Sequence, residues 1–168
     1  MLDDLLQKKI CMLGSYAVGK TSLIRRYVHS IYEEKYHTTI KVKVDEKVVQ
    51  PGERKVKLVL WDIYGEDDFQ KMHWSYVRGC FGYLLVADGT RRATLDRALE
   101  LEERARAEIG PVPFILVINK VDLQAEWEID DAMLEGVVAR GWTVIRTSAK
   151  TDQGVNEAFE QLTMRMLR

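Results

Sequence analysis

An α/β fold is what this sequence predicts: a three-layer sandwich of helices around a mostly parallel, six-stranded sheet, with one antiparallel hairpin at the sheet's edge. Three observations lead there. Apolar runs of strand length alternate with segments of helical periodicity from residue 82 to the end, the pattern of strands joined through crossover helices. Two stretches of strict alternation flank Pro51-Gly52, which reads as a hairpin. Between the first apolar run and the first helical pattern lies Gly14-Ser15-Tyr16-Ala17-Val18-Gly19-Lys20-Thr21, a phosphate-binding loop in its expected strand-to-helix setting.

The first strand is expected over 8–13, and the helix after it over 20–28, with Leu23, Ile24, Tyr27 and Val28 on one side. Residues 29–39 read as a polar loop. In the hairpin, Ile40, Val42 and Val44 alternate with Lys41, Lys43 and Asp45, and Val56, Leu58 and Leu60 alternate beyond the turn. Further strands are expected at 82–87, 113–118 and 143–147, and helices near 92–109, 130–140 and 154–167. In the 92–109 helix Leu95, Ala98, Leu99, Glu102, Ala105 and Ile109 form the inner side, with Glu100 four residues before Arg104 outside. Gly110-Pro111 stops it. In the last helix Val155, Ala158, Phe159, Leu162 and Met166 make a core-facing stripe. With no repeat or linker, residues 1–168 read as one domain.

Composition narrows the function. Lys and Arg total 25 against 26 Asp and Glu, a net charge of -1, so no global basic field draws nucleic acid to the chain. With 46% hydrophobic residues the chain can build a continuous core, yet no apolar run is long enough to span a bilayer. The acidic start Met1-Leu2-Asp3-Asp4 is unlike a secretion signal, and the last residues hold no Cys for lipidation. A cytoplasmic protein with no membrane anchor in this chain is expected. Cys11 and Cys80 sit in or beside apolar runs, which suits reduced core thiols. His29, His37 and His73 lack zinc-ligand spacing and are assigned no chemistry.

The motifs point to a nucleotide. Glycines in the 14–21 loop allow successive N–H groups to turn inward around phosphates at a helix N-terminus. Lys20 reaches the outer phosphates, and Thr21 offers an oxygen to Mg²⁺, a hard cation. Asp62 in Trp61-Asp62-Ile63-Tyr64-Gly65, at the end of the second hairpin strand, can hold the same metal, while the Gly65 N–H can meet a γ-phosphate. Asn119-Lys120-Val121-Asp122 follows an apolar strand, where ligands of parallel sheets bind. Its Asp122 carboxylate accepts two donors, and guanine presents adjacent N1–H and N2–H₂ groups that adenine lacks. Ser148-Ala149-Lys150 closes the same pocket.

The loop, Thr39, Asp62-x-x-Gly65, Asn119-Lys120-x-Asp122 and Ser148-Ala149-Lys150 occur in an order that resembles the Ras superfamily of small GTPases over essentially the whole chain. Trp61-Asp62, Tyr36-His37-Thr38-Thr39-Ile40 and Tyr76-Val77-Arg78-Gly79 look most like its Rab branch. The resemblance implies a phosphate-loop NTPase (Rossmann-like) fold, GTP and GDP as ligands with Mg²⁺, and a molecular switch that hydrolyses GTP. It implies nucleotide contacts from Gly14 through Thr21, with Ser22 next in the helix. Tyr32 is implied against the guanine, Tyr36 over the phosphates, and Thr39 as a metal ligand beside Thr21 and Asp62. Residues 33–41 and 62–78 would be the two switches that meet effector and regulator proteins, and Trp61, Phe69 and Trp74 could give them an aromatic patch. Glu66, Lys20 and Gly65 take the positions around the reacting phosphate.

Three residues there depart from the family. Glu66 stands where Gln is usual; an ionised Glu accepts a proton but donates none, and its charge about 4 Å from a phosphate charge costs about 4 kcal/mol at an effective dielectric near 20. Tyr16 stands where Ras has Gly, and Tyr64 replaces a small residue. Both could crowd the attacking water and an arginine finger. Slow hydrolysis and a long-lived GTP form are the expectation. The alternative is a hydrolysis-deficient, GTP-loaded binding module; a phosphate-loop kinase would leave the 119–122 motif unexplained. Arg91 and Arg92 open a helix and are read as surface ion-pair residues rather than as an internal arginine finger.

Overall fold

The computed structural model describes residues 5–33, 42–63 and 74–168. Six strands form one sheet: β1 (Leu6–Gly14), β2 (Val42–Val49), β3 (Val56–Ile63), β4 (Gly82–Asp88), β5 (Phe114–Asn119) and β6 (Val144–Thr147), in spatial order β2-β3-β1-β4-β5-β6. Every pairing is parallel except β2 with β3, the edge hairpin. The helices are α1 (Lys20–His29), α2 (Arg92–Ile109), α3 (Asp131–Ala139) and α4 (Val155–Met166). The predicted mostly parallel six-stranded sheet with one antiparallel edge pair is the fold observed. Ile40, predicted in the hairpin, lies outside the described residues.

Strand alternation builds two cores. Ile10 and Met12 of β1 face a cluster with Leu23, Ile24 and Tyr27 of α1 and with Val155, Phe159 and Leu162 of α4. Cys11 and Leu13 face the opposite cluster, with Leu95, Ala98 and Leu101 of α2 and Leu134 and Val137 of α3. β4 is buried throughout and β1 over its second half, from Ile10 to Gly14, because helices cover both faces of a parallel sheet. The stripe expected on α4 is buried as predicted. On α2, Leu101 is buried as well, Leu99 only half-buried, and Arg104 pairs at 3.0 Å with Glu108, one turn after it, rather than with Glu100, one turn before. Among the described residues no helix is long and apolar enough to cross a membrane.

Both cysteines are buried free thiols, as expected. The structure also brings them into contact, a long-range pairing that apolar context alone could not reveal, and the Cys80 sulfur together with burial pushes the Cys11 thiol far above its usual range. Cys11 donates to the Tyr76 carbonyl and Cys80 to that of Gly82. His29 is exposed and faces Asp45 at 3.5 Å; His37 and His73 lie outside the described residues.

Candidate nucleotide site

The sheet order reverses at β1, which has β3 on one side and β4 on the other; the crevice outside the carboxyl ends of such strands is where α/β sheets take ligands. The phosphate loop, Thr21, Asp62, Asn119, Lys120, Asp122 and Ser148 lie along that edge, joined by hydrogen bonds. β1 ends at Gly14, whose absent Cβ leaves room for the Val86 carbonyl of β4. The chain turns through Ser15, Tyr16 and Ala17 (φ 61°) to Gly19 (φ 105°), and Gly19 accepts the first helical bond of α1 from Leu23 N at 2.9 Å. A Cβ on Gly19 would collide with the Asn119 amide. Positive φ and this close approach make glycine the residue the turn requires. No acidic residue occupies the first turn of α1, so its amide ends are left to an anion.

Lys20 runs back across the loop and donates to Gly14 O at 2.9 Å and Ser15 O at 3.1 Å. Burial lowers its pKa to about 8, with the Asp62 charge opposing. An ammonium this deeply buried gains from an anionic partner, which is what a phosphate tail supplies. Beside it, the Thr21 hydroxyl donates to Asp62 Oδ2, and Asp62 is 2% exposed at the end of β3. A hydroxyl that gives its proton to a carboxylate keeps its lone pairs, so the two side chains offer converging hard oxygens suited to Mg²⁺.

Two loops further along the sheet complete the site. Asn119 Nδ2 donates to Val18 O at 3.0 Å while its Oδ1 accepts from Thr147 Oγ1 at 3.0 Å. The Asn119 side chain is thereby a tie between the phosphate loop and β6. Lys120 (φ 75°) donates to Ala17 O at 3.1 Å and pairs with Asp88 at 2.8 Å. Ser148 Oγ donates to Asp122 Oδ1 at 2.7 Å, turning the carboxylate to a fixed orientation. Arg26 of α1 donates from Nε to Ala149 O and from Nη2 to Lys150 O, both at 2.8 Å, and so holds the 148–150 loop. Tyr32 packs at the edge of the α1 cluster that contains Ala149.

Four contributors escaped sequence reasoning. Arg26 sat unremarked beside the apolar stripe of α1. Asp88 ends β4 and is 1% exposed; burial pushes its pKa up, but hydrogen bonds from Lys120 and Thr90 and the Lys120 charge outweigh that and hold it below the usual carboxylate range. Trp127 covers Gly89 and donates to Lys120 O at 2.9 Å. Thr147 orients Asn119. None lies in a motif, and only the strand-end position of Asp88 offered a signal. Arg91 corrects an expectation: it precedes α2 rather than opening it, and it pairs with buried Asp88 at 3.0 Å and with Tyr16 O at 2.8 Å, not with a surface acid. Tyr36, Thr39, Tyr64, Gly65, Glu66 and Phe69 lie outside the described residues. Trp61 is half-buried, with Lys9 Nζ 3.7 Å from its ring and Tyr76 beyond, and Trp74 is partly buried against the α2 core.

A model of the Ras family matches residues 9–168. Ras-related protein Rab-32B of Dictyostelium discoideum is 34% identical over 169 residues, covering 95% of this chain and 64% of that protein, so the chain spans a little under two thirds of that relative's length. Human Ras-related protein Rab-7b is 32% identical, with 95% of this chain and 82% of that protein covered. Ras-related protein Rab-32 of mouse is 32% identical over 95% of this chain and 75% of its own length.

Proposed function

The chain belongs to the Ras family, as a Rab-like member, and from that premise we propose that it is a molecular switch that binds GTP and GDP with Mg²⁺ and hydrolyses GTP slowly. The observation that carries the reading is the coupling of base and phosphate ends: Lys120 and Asn119 grip the carbonyls of Ala17 and Val18, and Asp122, three residues after Asn119, is held in place by Ser148 to read a base. A ligand spanning both has a guanine-like donor pair at one end and phosphates at the other.

Each described residue has a task in that reading. The loop amides from Ser15 to Lys20 and the Lys20 ammonium hold the β- and γ-phosphate oxygens. Thr21 and Asp62 would hold Mg²⁺, with Thr39 completing the protein ligands in the GTP form; the ion would supply positive charge that offsets the charge of the phosphates. Asp122 accepts from guanine N1–H and N2–H₂, while Ser148, Ala149 and Lys150 wall the base and Tyr32 lies to one side. Water attacks the γ-phosphorus in line, the bond to the β–γ bridging oxygen breaks, and inorganic phosphate leaves. Glu66 stands where a donor to the transferring group is needed and can only accept, which supports a slow step. Loss of phosphate would release Thr39 and Gly65, and segments 33–41 and 62–78 would then meet effectors and regulators differently. Residues 1–168 serve here as one GTPase domain.

The test is single-turnover phosphate release from purified protein loaded with GTP and Mg²⁺. Slow release that accelerates in Glu66→Gln is expected. A rate typical of the family, unmoved by Glu66→Gln, would refute the slow step. No release over many hours with GTP still bound would favour a GTP-loaded binding module that presents a persistent effector surface.

A further inference from the structure

Arg91 belongs to no nucleotide motif, yet its side chain reaches the middle of the phosphate loop. Its Nη2 donates to the Tyr16 carbonyl at 2.8 Å and its Nε to Asp88 Oδ2 at 3.0 Å. Lys120 reaches the same Asp88 oxygen at 2.8 Å and donates to the next loop carbonyl, that of Ala17, at 3.1 Å. The other Asp88 oxygen accepts from Thr90 N at 2.9 Å and Thr90 Oγ1 at 2.8 Å. One buried carboxylate therefore anchors two cations, and each cation holds one of two consecutive loop carbonyls.

We propose that Arg91 is a positioning residue: with Asp88 and Lys120 it forms a bracket that fixes the Tyr16–Ala17 segment of the phosphate loop and so sets how long a nucleotide stays bound. The bracket is preorganised from behind. Thr94 Oγ1 accepts from Asp88 N at 2.8 Å and donates toward the Arg91 carbonyl at 2.7 Å, locking the backbone that presents both charges. Ala17, at φ 61°, sits in a conformation a non-glycine residue adopts reluctantly, and a pair of charge-assisted bonds to the flanking carbonyls is a physical means of keeping it there. Carbonyls drawn toward the cations leave the amides of the same segment turned into the cradle, where an anion needs them. The effect on residence time rests on the reading that this loop holds phosphates; the bracket itself does not.

The experiment compares the wild type with Arg91→Ala, Arg91→Lys and, as a surface control, Arg92→Ala. Amide hydrogen exchange of residues 14–19 is read in the nucleotide-free protein, and release of a fluorescent GDP analogue is read with Mg²⁺ and again with EDTA. Arg91→Ala should speed exchange in that segment and release the analogue about tenfold faster, equivalent to about 1.4 kcal/mol, by the same factor with and without the metal. Arg91→Lys, which keeps the charge but not the fork, should fall between, and Arg92→Ala should match the wild type. Unchanged exchange in Arg91→Ala overturns the bracket. Unchanged release with slowed single-turnover hydrolysis would also overturn it, since that is the signature of an arginine acting on the transferring phosphate. Faster exchange in a protein that holds no guanine nucleotide would leave the bracket standing and refute the proposed function instead.

Discussion

Arg26→Ala tests how the base pocket is supported. Arg26 reaches from α1 to two consecutive carbonyls of the 148–150 loop, Ala149 O and Lys150 O, at 2.8 Å each. A hydrogen bond to a charged group contributes about 1.5–3 kcal/mol when desolvated; the Ala149 contact is part-buried and the Lys150 contact exposed, so values of about 1–1.5 and about 0.5 kcal/mol are appropriate after solvent screening. Together they give about 1.5–2 kcal/mol, a factor of about 10–30. Because Ser148 on the same loop holds Asp122, loosening the loop loosens the carboxylate that would read guanine. The GDP dissociation constant, measured by calorimetry in Mg²⁺, should therefore rise about tenfold or somewhat more, while Arg26→Lys, with one donor centre for two acceptors, should recover part of the loss. Since Leu23, Ile24 and Tyr27 carry the packing of α1, thermal unfolding of the nucleotide-free variant should shift by only a few degrees. GDP affinity within twofold of the wild type, in a variant of normal stability, would refute the clamp.

Asp122→Ala removes the acceptor for both guanine donors and should weaken GTP binding by a hundredfold or more, while the ratio of GTP to ATP affinity collapses toward one in competition titrations. Asp62→Asn keeps an acceptor for the Thr21 hydroxyl but removes the carboxylate's negative charge, so the Mg²⁺ concentration needed to slow GDP release should rise at least tenfold, with release in EDTA unchanged. Asp88 carries a pKa held below its ordinary value; its stabilising contribution is complete above the unfolded-state value near pH 4 and is lost as pH falls through the lower folded value. Urea unfolding of wild type and Asp88→Asn should thus differ most at neutral pH and converge only as pH falls below the lowered folded-state value.

The sheet was legible because its signals are periodic and local. Alternation marked the hairpin, unbroken apolar runs marked β4 and β5, and the stripe of α4 stood out at helical spacing. The phosphate loop, Asp62, Asn119, Asp122 and Ser148 stood out as candidates because each proposed ligand chemistry demands a residue type at a fixed distance from its neighbours, and the structure ties Asn119 to the loop and Ser148 to Asp122. Arg26, Asp88, Trp127 and Thr147 were not, since they act on the site through backbone carbonyls, which any sequence supplies and which leave no trace in residue spacing. Arg91 was misassigned for the same reason: its helix-start position was visible, but the buried partner and the loop carbonyl, 75 residues away in the chain, were not.

That blind spot bears on the departures at Tyr16 and Glu66. A tyrosine in the loop threatens the nucleotide only if the backbone moves to accommodate it, and the Tyr16 carbonyl is the one Arg91 holds. If the bracket fixes that backbone, the loop amides would keep their orientation whatever side chain position 16 carries. On the proposed function, binding and turnover would then separate physically: the bracket, the Asn119 tie and the Arg26 clamp would secure a ligand through carbonyls that are indifferent to residue type, whereas hydrolysis would depend on the donor that Glu66, unlike Gln, does not supply. A chain built this way can lose catalytic rate at one position without losing hold of its nucleotide, and Arg91→Ala and Glu66→Gln should accordingly alter release and hydrolysis independently of each other.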